Sequence, residues 1–280
     1  MPDLERPETL PKSARVTRLA GWDRWWGLFG AVALLVLAMV TFQPDPYRRI
    51  VFFLADGLVV TVSITVVAYV CILVVGLFAG LGRIAKNPVI RGIASIYVEV
   101  IRGIPLLVQL LFIYYALPVV LQSIGRYLVQ NVPFLAGLGQ NLAQATINPF
   151  VGAVVGLTIC YGAYVGEIYR AGIEAIPRGQ MEAARSLGMG YVQAMRYVIL
   201  PQAVRMILPP LGNEFVALLK DSSLVSVVAV ADMTRRGREF MSQEFIPLQT
   251  WILVALMYLL LTVFAARIVS YIERKTAYAR

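Results

Sequence analysis

Residues 174–201 read EAIPRGQMEAARSLGMGYVQAMRYVILP. The stretch lies between two long apolar segments, yet it carries Glu174, Arg178, Glu182, Arg185 and Arg196. It is too polar to sit in lipid and too regular for a structureless linker. Pro177 and Gly179 break the chain before it, and Met181, Ala184, Leu187 and Gly188 recur at roughly helical spacing. Gly188 and Gly190 supply a tight turn, and Tyr191 to Leu200 is expected to form a second short helix ended by Pro201. The segment therefore reads as a helix–turn–helix knob projecting from a membrane protein on its basic side. Small residues at Ala183 and Ala184, with Gly188 at the corner, leave room for a partner surface.

The composition sets that knob in a membrane chain. The protein has 280 residues, of which 59% are hydrophobic and 15% charged, against about 25% charged in soluble domains. It has no histidine, which removes the commonest general base, the commonest zinc ligand and any Ser-His triad. No metal site and no catalytic residue is expected, and the chain is not read as an enzyme. Cys71 and Cys160 fall inside apolar spans and read as packed small residues rather than a disulfide. None of the four lysines follows a glycine-rich phosphate loop, so no cofactor is expected in this chain and any ATP is bound by another.

In chain order, 1–24 is a polar, basic, Pro-containing tail. Residues 25–42 form a first span with Trp25 and Trp26 as interface anchors, read as a retained helix rather than a signal peptide. A second span ends near Gly82, with Asp56-Gly57 at its outer edge. A third runs from about Gly92 to Leu121, kinked at Pro105, and Ser123 to Asn148 is a longer polar loop with room for a short interfacial helix. The fourth span covers about Pro149 to Ala171, the fifth Ile207 to Val230, the sixth Leu248 to Tyr271, and 274–280 is a tail. With the N-terminus inside, seventeen Lys and Arg lie on inner segments and six on outer ones. The excess puts both termini and the knob in the cytoplasm.

Ionisable groups at membrane depth are costly unless paired or wetted. On the third span Glu99, Arg102, Leu106 and Gln109 share a helical face. On the fourth, Tyr164 and Glu167 follow Tyr161. On the fifth, Asn213, Lys220 and Ser223 share a face with Glu214 and Asp221 beside it. These groups form either a polar path or structural pairs. Glu99, Arg102 and Lys220 suit pairing, whereas Glu167, beside two tyrosines, suits a substrate, although Arg170 one turn on could neutralise it.

Glu182-Ala183-Ala184, three residues, Gly188, nine residues, Val198, one residue and Leu200-Pro201 together resemble the EAA signature of permease subunits of bacterial ABC importers. Val198 stands where that family more often has Ile. Arg102 to Gln109, then Phe112 to Tyr115, resemble the polar amino acid branch, the permeases for histidine, glutamine, arginine or glutamate. So do Ala163-Tyr164, Glu167-Ile168, Arg170 to Ile173, and Lys220 to Leu224. The likeness covers about Leu58 to Glu273.

The resemblance implies an all-α polytopic helix bundle of about six spans, with a transmembrane domain over 50–273, a coupling loop at 174–201 and 25–42 as an added first helix. It implies a multi-pass protein of the bacterial inner membrane. The expected partners are a second permease subunit, identical or a sister chain, an ATPase dimer that binds ATP and Mg, and an extracytoplasmic amino-acid-binding protein. Glu182, Ala183, Ala184, Gly188, Val198, Leu200 and Pro201 would dock the ATPase. Glu167, Tyr164, Glu99, Arg102, Gln109, Lys220 and Ser223 are the substrate-path candidates. Nucleic acid is not an expected partner. The other readings are an intramembrane enzyme, which the missing histidine and missing aspartate pair oppose, and a membrane sensor or scaffold that uses the knob only for docking.

Overall fold

The computed structural model describes residues 24–276. The expected tail at 1–24 lies outside the described residues apart from Arg24, as does 277–280 of the expected C-terminal tail. The elements are α1 (Arg24–Phe42), α2 (Pro44–Arg83), α3 (Pro88–Gly103), α4 (Leu106–Leu111), α5 (Leu117–Asn131), α6 (Ala136–Ala143), α7 (Pro149–Glu174), α8 (Arg178–Ser186), α9 (Tyr191–Ala194), α10 (Leu200–Asp221), α11 (Met233–Glu244) and α12 (Pro247–Thr276). A π turn, Phe112–Ala116, joins α4 to α5, and another, Met195–Ile199, joins α9 to α10. A 3₁₀ turn, Ser222–Val228, follows α10. No strand occurs among the described residues.

Helix starts follow local chemistry. Asn87 accepts from the backbone N–H groups of Val89 and Ile90, and Asn148 from those of Phe150 and Val151, each with proline at the first helical position. Asp232 caps α11 through the N–H groups of Thr234 and Arg235. Each side chain satisfies donors that a helix leaves unpaired at its start.

Close helix packing in a membrane relies on small residues, because lipid tails are as apolar as leucine. Gly76 and Gly80 on α2 both meet Gly166 on α7, and Gly162, one turn earlier on α7, meets Val75 of α2. A Cβ on Gly166 would lie 2.9 Å from the Ala79 methyl. Gly172 gives the same closeness to Ile207 of α10. Around this contact Ile64, Ile72, Leu157, Val165, Ile207 and Leu218 form the main core. A second core joins Ile50 and Leu54 of α2 to Met233 and Phe240 of α11 and to Leu253 of α12. There Asp56 pairs with Arg236, and a Cβ on Gly57 would lie 2.9 Å from the Asp232 carbonyl oxygen. The first helix rests on α12, with the Arg267 guanidinium over the Trp25 ring at 5.5 Å and Phe29 6.2 Å from Phe264. Cys71 and Cys160 are free thiols on α2 and α7.

Among the described residues, five helical stretches are long and apolar enough to cross a membrane: Trp25–Phe42, Pro44–Arg83, Leu106–Asn131, Pro149–Glu174 and Pro247–Lys275. The expected fifth span, Ile207 to Val230, is not one helix. Here α10 ends at Asp221, and it carries Arg205, Glu214 and Lys220 as well. The expected third span is two helices, because Gly103 to Pro105 break it. Proline denies the helix a donor and pushes the residue before it to extended geometry, as at Ile104 with φ −108° and ψ 132°. The expected polar loop, Ser123 to Asn148, is largely a helical hairpin. There α6 folds back on α5 through Gly125 and Gly139, where a Cβ on Gly139 would meet the Gly125 carbonyl oxygen at 2.9 Å.

Candidate functional site

The knob is α8, a turn, α9 and the π turn. Gly188 has φ +83°, and its N–H donates to the Arg185 carbonyl at 3.0 Å. The Met189 N–H reaches the Ala184 carbonyl at 3.2 Å. This pair of bonds closes a helix C-terminus with glycine in the left-handed position. A Cβ at Gly188 would meet nothing within 4 Å. The backbone conformation, rather than crowding within the chain, therefore demands glycine.

Ala184 is only 4% exposed and packs inward, so it leaves no room for a partner as the sequence suggested. Met181 and Val198 of the same knob pack against the main core. Glu182, Ala183, Gly188, Leu200 and Pro201 are exposed and Val198 is half-buried. Leu187, Tyr191, Val192 and Tyr197 add an apolar surface, with Leu187 at 81% exposure. Pro201 does not end the second knob helix. It falls at the start of α10, where a missing N–H is tolerated and the π turn just before it re-registers the bonds. The knob thus continues into α10 as far as Asp221.

On an open side of the bundle, Arg83, Glu99, Arg102, Tyr164 and Glu167 line one cavity of about 450 Å³. Arg83 of α2 and Arg170 of α7 both bind the Glu167 carboxylate, and Arg170 also binds Glu174. Arg83 also lies 4.0 Å from Glu99, whose side chain is 72% exposed. The Arg102 guanidinium sits over the Tyr164 ring at 5.2 Å, a geometry that attracts a cation to the ring face. Arg102 has no carboxylate within 4 Å among the described residues.

A second cavity of about 220 Å³ is lined by Leu106, Cys160, Tyr161, Tyr164, Glu214 and Asp221. Tyr161 Oη donates to Asp221 Oδ2 at 2.7 Å. Neither Glu214 nor Asp221 has a cation within 4 Å among the described residues. Tyr164 belongs to the walls of both cavities.

Of the sequence candidates, Glu99, Arg102, Tyr164 and Glu167 come together. Gln109 does not join them. Its Nε2 donates to the Ile101 and Ile104 carbonyls at 2.8 Å each, capping the broken end of α3. The shared face read along Glu99 to Gln109 is interrupted by the Pro105 break. Lys220 is exposed, and Ser223 lies half-buried in the 3₁₀ turn; neither lines either cavity. Arg83 lies just past the expected end of the second span near Gly82, and Glu214 and Asp221 stand beside, not on, the polar face expected for the fifth. The seven-residue spacing of those two acids, two turns on one helix, was the available signal.

Comparison with known proteins bears on what such a bundle is. Residues 72–278 match the family described as "Binding-protein-dependent transport system inner membrane component". The chain is 37% identical to the glutamine transport system permease protein GlnP of Escherichia coli (strain K12) over 222 residues, 79% of this chain and 92% of that one. It is 34% identical to the arginine transport system permease protein ArgU of Corynebacterium glutamicum over 261 residues, 90% of this chain and 79% of that one. A crystal structure of an amino acid ABC transporter with histidines superposes with a TM-score of 0.68 at 39% identity, covering 86% of this chain and 98% of that one. An inward-facing MetNI methionine ABC transporter shares the fold, with a TM-score of 0.62 at 19% identity over 82% and 98%. A bundle with an exposed α8–α9 knob, matched over most of its length, belongs to the family of inner membrane components of binding-protein-dependent transport systems.

Proposed function

We propose that this chain forms the membrane path of an ATP-driven importer of polar amino acids, and that its knob docks on a separate ATPase subunit. The observation that carries the coupling is the exposed surface of Glu182, Ala183, Leu187, Tyr191, Val192 and Tyr197 on a knob continuous with α10. A solvated face needs no such apolar residues, whereas a protein groove does. Movement of the knob would reach Glu214 and Asp221 through one helix. The relatives named for glutamine and arginine transport support an amino acid as the cargo. The basic excess supports cytoplasmic termini and a cytoplasmic knob. A second permease subunit would close the open side where Glu99 and Arg102 lie exposed, and an extracytoplasmic binding protein would deliver the substrate. ATP and Mg would belong to the ATPase.

Purification of the tagged chain from native membranes, with crosslinking from a cysteine placed at Leu187, tests this. A Walker-motif ATPase captured by Leu187→Cys is expected. Glu182→Lys is expected to abolish amino acid uptake while leaving the bundle folded. Undiminished uptake in Glu182→Lys, or failure to capture any ATPase, would overturn the coupling assignment.

A further inference from the structure

A third cavity, of about 640 Å³, lies between α11 and the 3₁₀ turn Ser222–Val228. The turn follows directly on Asp221, so this cavity stands at the end of α10 away from the knob. Asp221 lines the smaller cavity beside α7, whereas Ser226, Val227 and Ala229 line the larger one. One short turn thus links the walls of both. Tyr115 of the first π turn ties it in place, its Oη donating to the Val227 carbonyl at 3.1 Å. Ala229, with φ +63°, then turns the chain towards α11.

On α11, Arg235, Arg238, Glu239 and Ser242 recur at i, i+3, i+4 and i+7 and share the cavity side. Met233 and Phe240, on the other side, belong to the second core. Glu239 accepts from Arg235 at 2.9 Å and from Arg236 at 3.0 Å, and Arg236 also pairs with Asp56. Those two acids and two arginines balance. Arg238 is exposed and has no carboxylate within 4 Å among the described residues. In the turn, Ser226 is only 6% exposed, yet its hydroxyl makes no hydrogen bond among the described residues. A hydroxyl on so buried a residue ordinarily has a partner. Here it is left to whatever fills the cavity.

A free guanidinium and a free hydroxyl around a space of small-molecule size suit a carboxylate, which takes paired bonds from arginine and a further one from serine. A carboxylate on a partner protein's surface would meet exposed Arg238, but not a hydroxyl on a residue as buried as Ser226. We propose that this cavity is a binding site for free amino acids, holding the α-carboxylate through Arg238 and Ser226. The assignment rests on the importer reading above and adds to it a station ahead of the 3₁₀ turn, at the end opposite the knob. Because both contacts are to the α-carboxylate, the site takes amino acids whatever their side chain. Selection among them is left to groups beyond the turn.

Ser242→Cys places an exposed thiol on the cavity wall, and the chain with only its native Cys71 and Cys160 gives the background. Labelling of that thiol by a small maleimide is followed in the purified permease–ATPase complex without its binding protein. L-Glutamine and L-arginine are compared with their α-carboxamides, L-glutaminamide and L-argininamide. Both free amino acids are expected to protect at concentrations at least about tenfold lower than the carboxamides, since a charge-assisted hydrogen bond is worth that much or more. Arg238→Gln and Ser226→Ala should each raise the protecting concentration by about tenfold or more, and Arg238→Lys should recover part of the loss. Arg238 makes no ion pair within the chain, so its variants leave the packing of α11 intact. Equal protection by amino acid and carboxamide, no protection at millimolar concentration, or undiminished protection in Arg238→Gln would overturn the site. So would protection by docked binding protein while free amino acids have no effect, which would make this wall a docking surface. Amino acid uptake by the reconstituted transporter is measured alongside. Uptake without protection removes this site alone; absence of all uptake removes the importer reading and the site with it.

Discussion

The α2–α7 crossing predicts opposite outcomes for one substitution made at two places. A Cβ at Gly80 would stand 2.7 Å from the Gly166 carbonyl oxygen and 2.8 Å from Tyr169 Cβ. The first of these is backbone and cannot rotate away. Restoring an ordinary 3.4 Å contact requires the helices to part by 3.4 − 2.7, about 0.7 Å. Overpacking of this kind costs about 1–3 kcal/mol. Gly92 on α3 is also helical, yet a Cβ there meets nothing within 4 Å. Glycine to alanine in a helix interior gains up to about 1 kcal/mol of propensity at either site. That gain cancels in the comparison, and the difference between Gly80→Ala and Gly92→Ala isolates the packing term. For a chain of this size about 1 kcal/mol moves the midpoint by about 2–4 °C. Gly80→Ala should therefore melt about 2–12 °C below Gly92→Ala in the same detergent. Parting the helices at Gly80 also draws Arg83, one turn on, away from Glu167, and so Gly80→Ala should lose transport sooner than its melting point suggests. If Gly80→Ala melts at or above Gly92→Ala, the glycine-mediated approach of α2 to α7 is wrong.

Three further outcomes can be checked by thermal unfolding in detergent. Gly188→Ala should destabilise the knob by about 1–2 kcal/mol, because φ +83° places a Cβ against the backbone, and Gly188→Asn should recover part of that loss; equal stability of Gly188→Ala and wild type would show that the turn is not left-handed. Gln109→Ala strips the donors from the Ile101 and Ile104 carbonyls, at about 1–3 kcal/mol, and an ionised Gln109→Glu, which cannot donate, should be no better; wild-type behaviour of Gln109→Glu would remove the capping role. At Glu239 on α11, burial pushes the carboxyl up, but hydrogen bonds and charge from Arg235 and Arg236 outweigh it and hold the group below the ordinary glutamate value. A lowered folded value contributes stability above the unfolded value of about 4.3, lost as pH falls through the folded value. Melting should thus drop below that pH in the wild type and less so in Glu239→Gln; identical acid-side slopes would refute the assignment.

Much of this protein is set by neighbours close in sequence. The apolar runs, the basic excess on alternate segments, and the proline and glycine signals around 174–201 depend on a few adjacent residues, and they were sufficient for a polytopic helical class and a projecting knob. Gly188 belongs there too, since a turn closed by a left-handed residue asks for glycine whatever surrounds it. The break of the third span at Pro105 was visible as a kink, but its completion into two helices depends on Gln109 reaching back to the orphaned carbonyls. Which charges neutralise one another lay beyond any local pattern. Arg83 and Glu167 are eighty-four positions apart, and their pairing follows from the depth and rotation at which α2 meets α7. Those in turn follow from glycines on both helices that let the backbones approach. Likewise the seven-residue period puts Glu214 and Asp221 on one face of α10, but only the packing of α7 against it brings Tyr161 and Tyr164 to that face. Helical periodicity fixes which residues share a side; the fit between two helices decides what that side confronts.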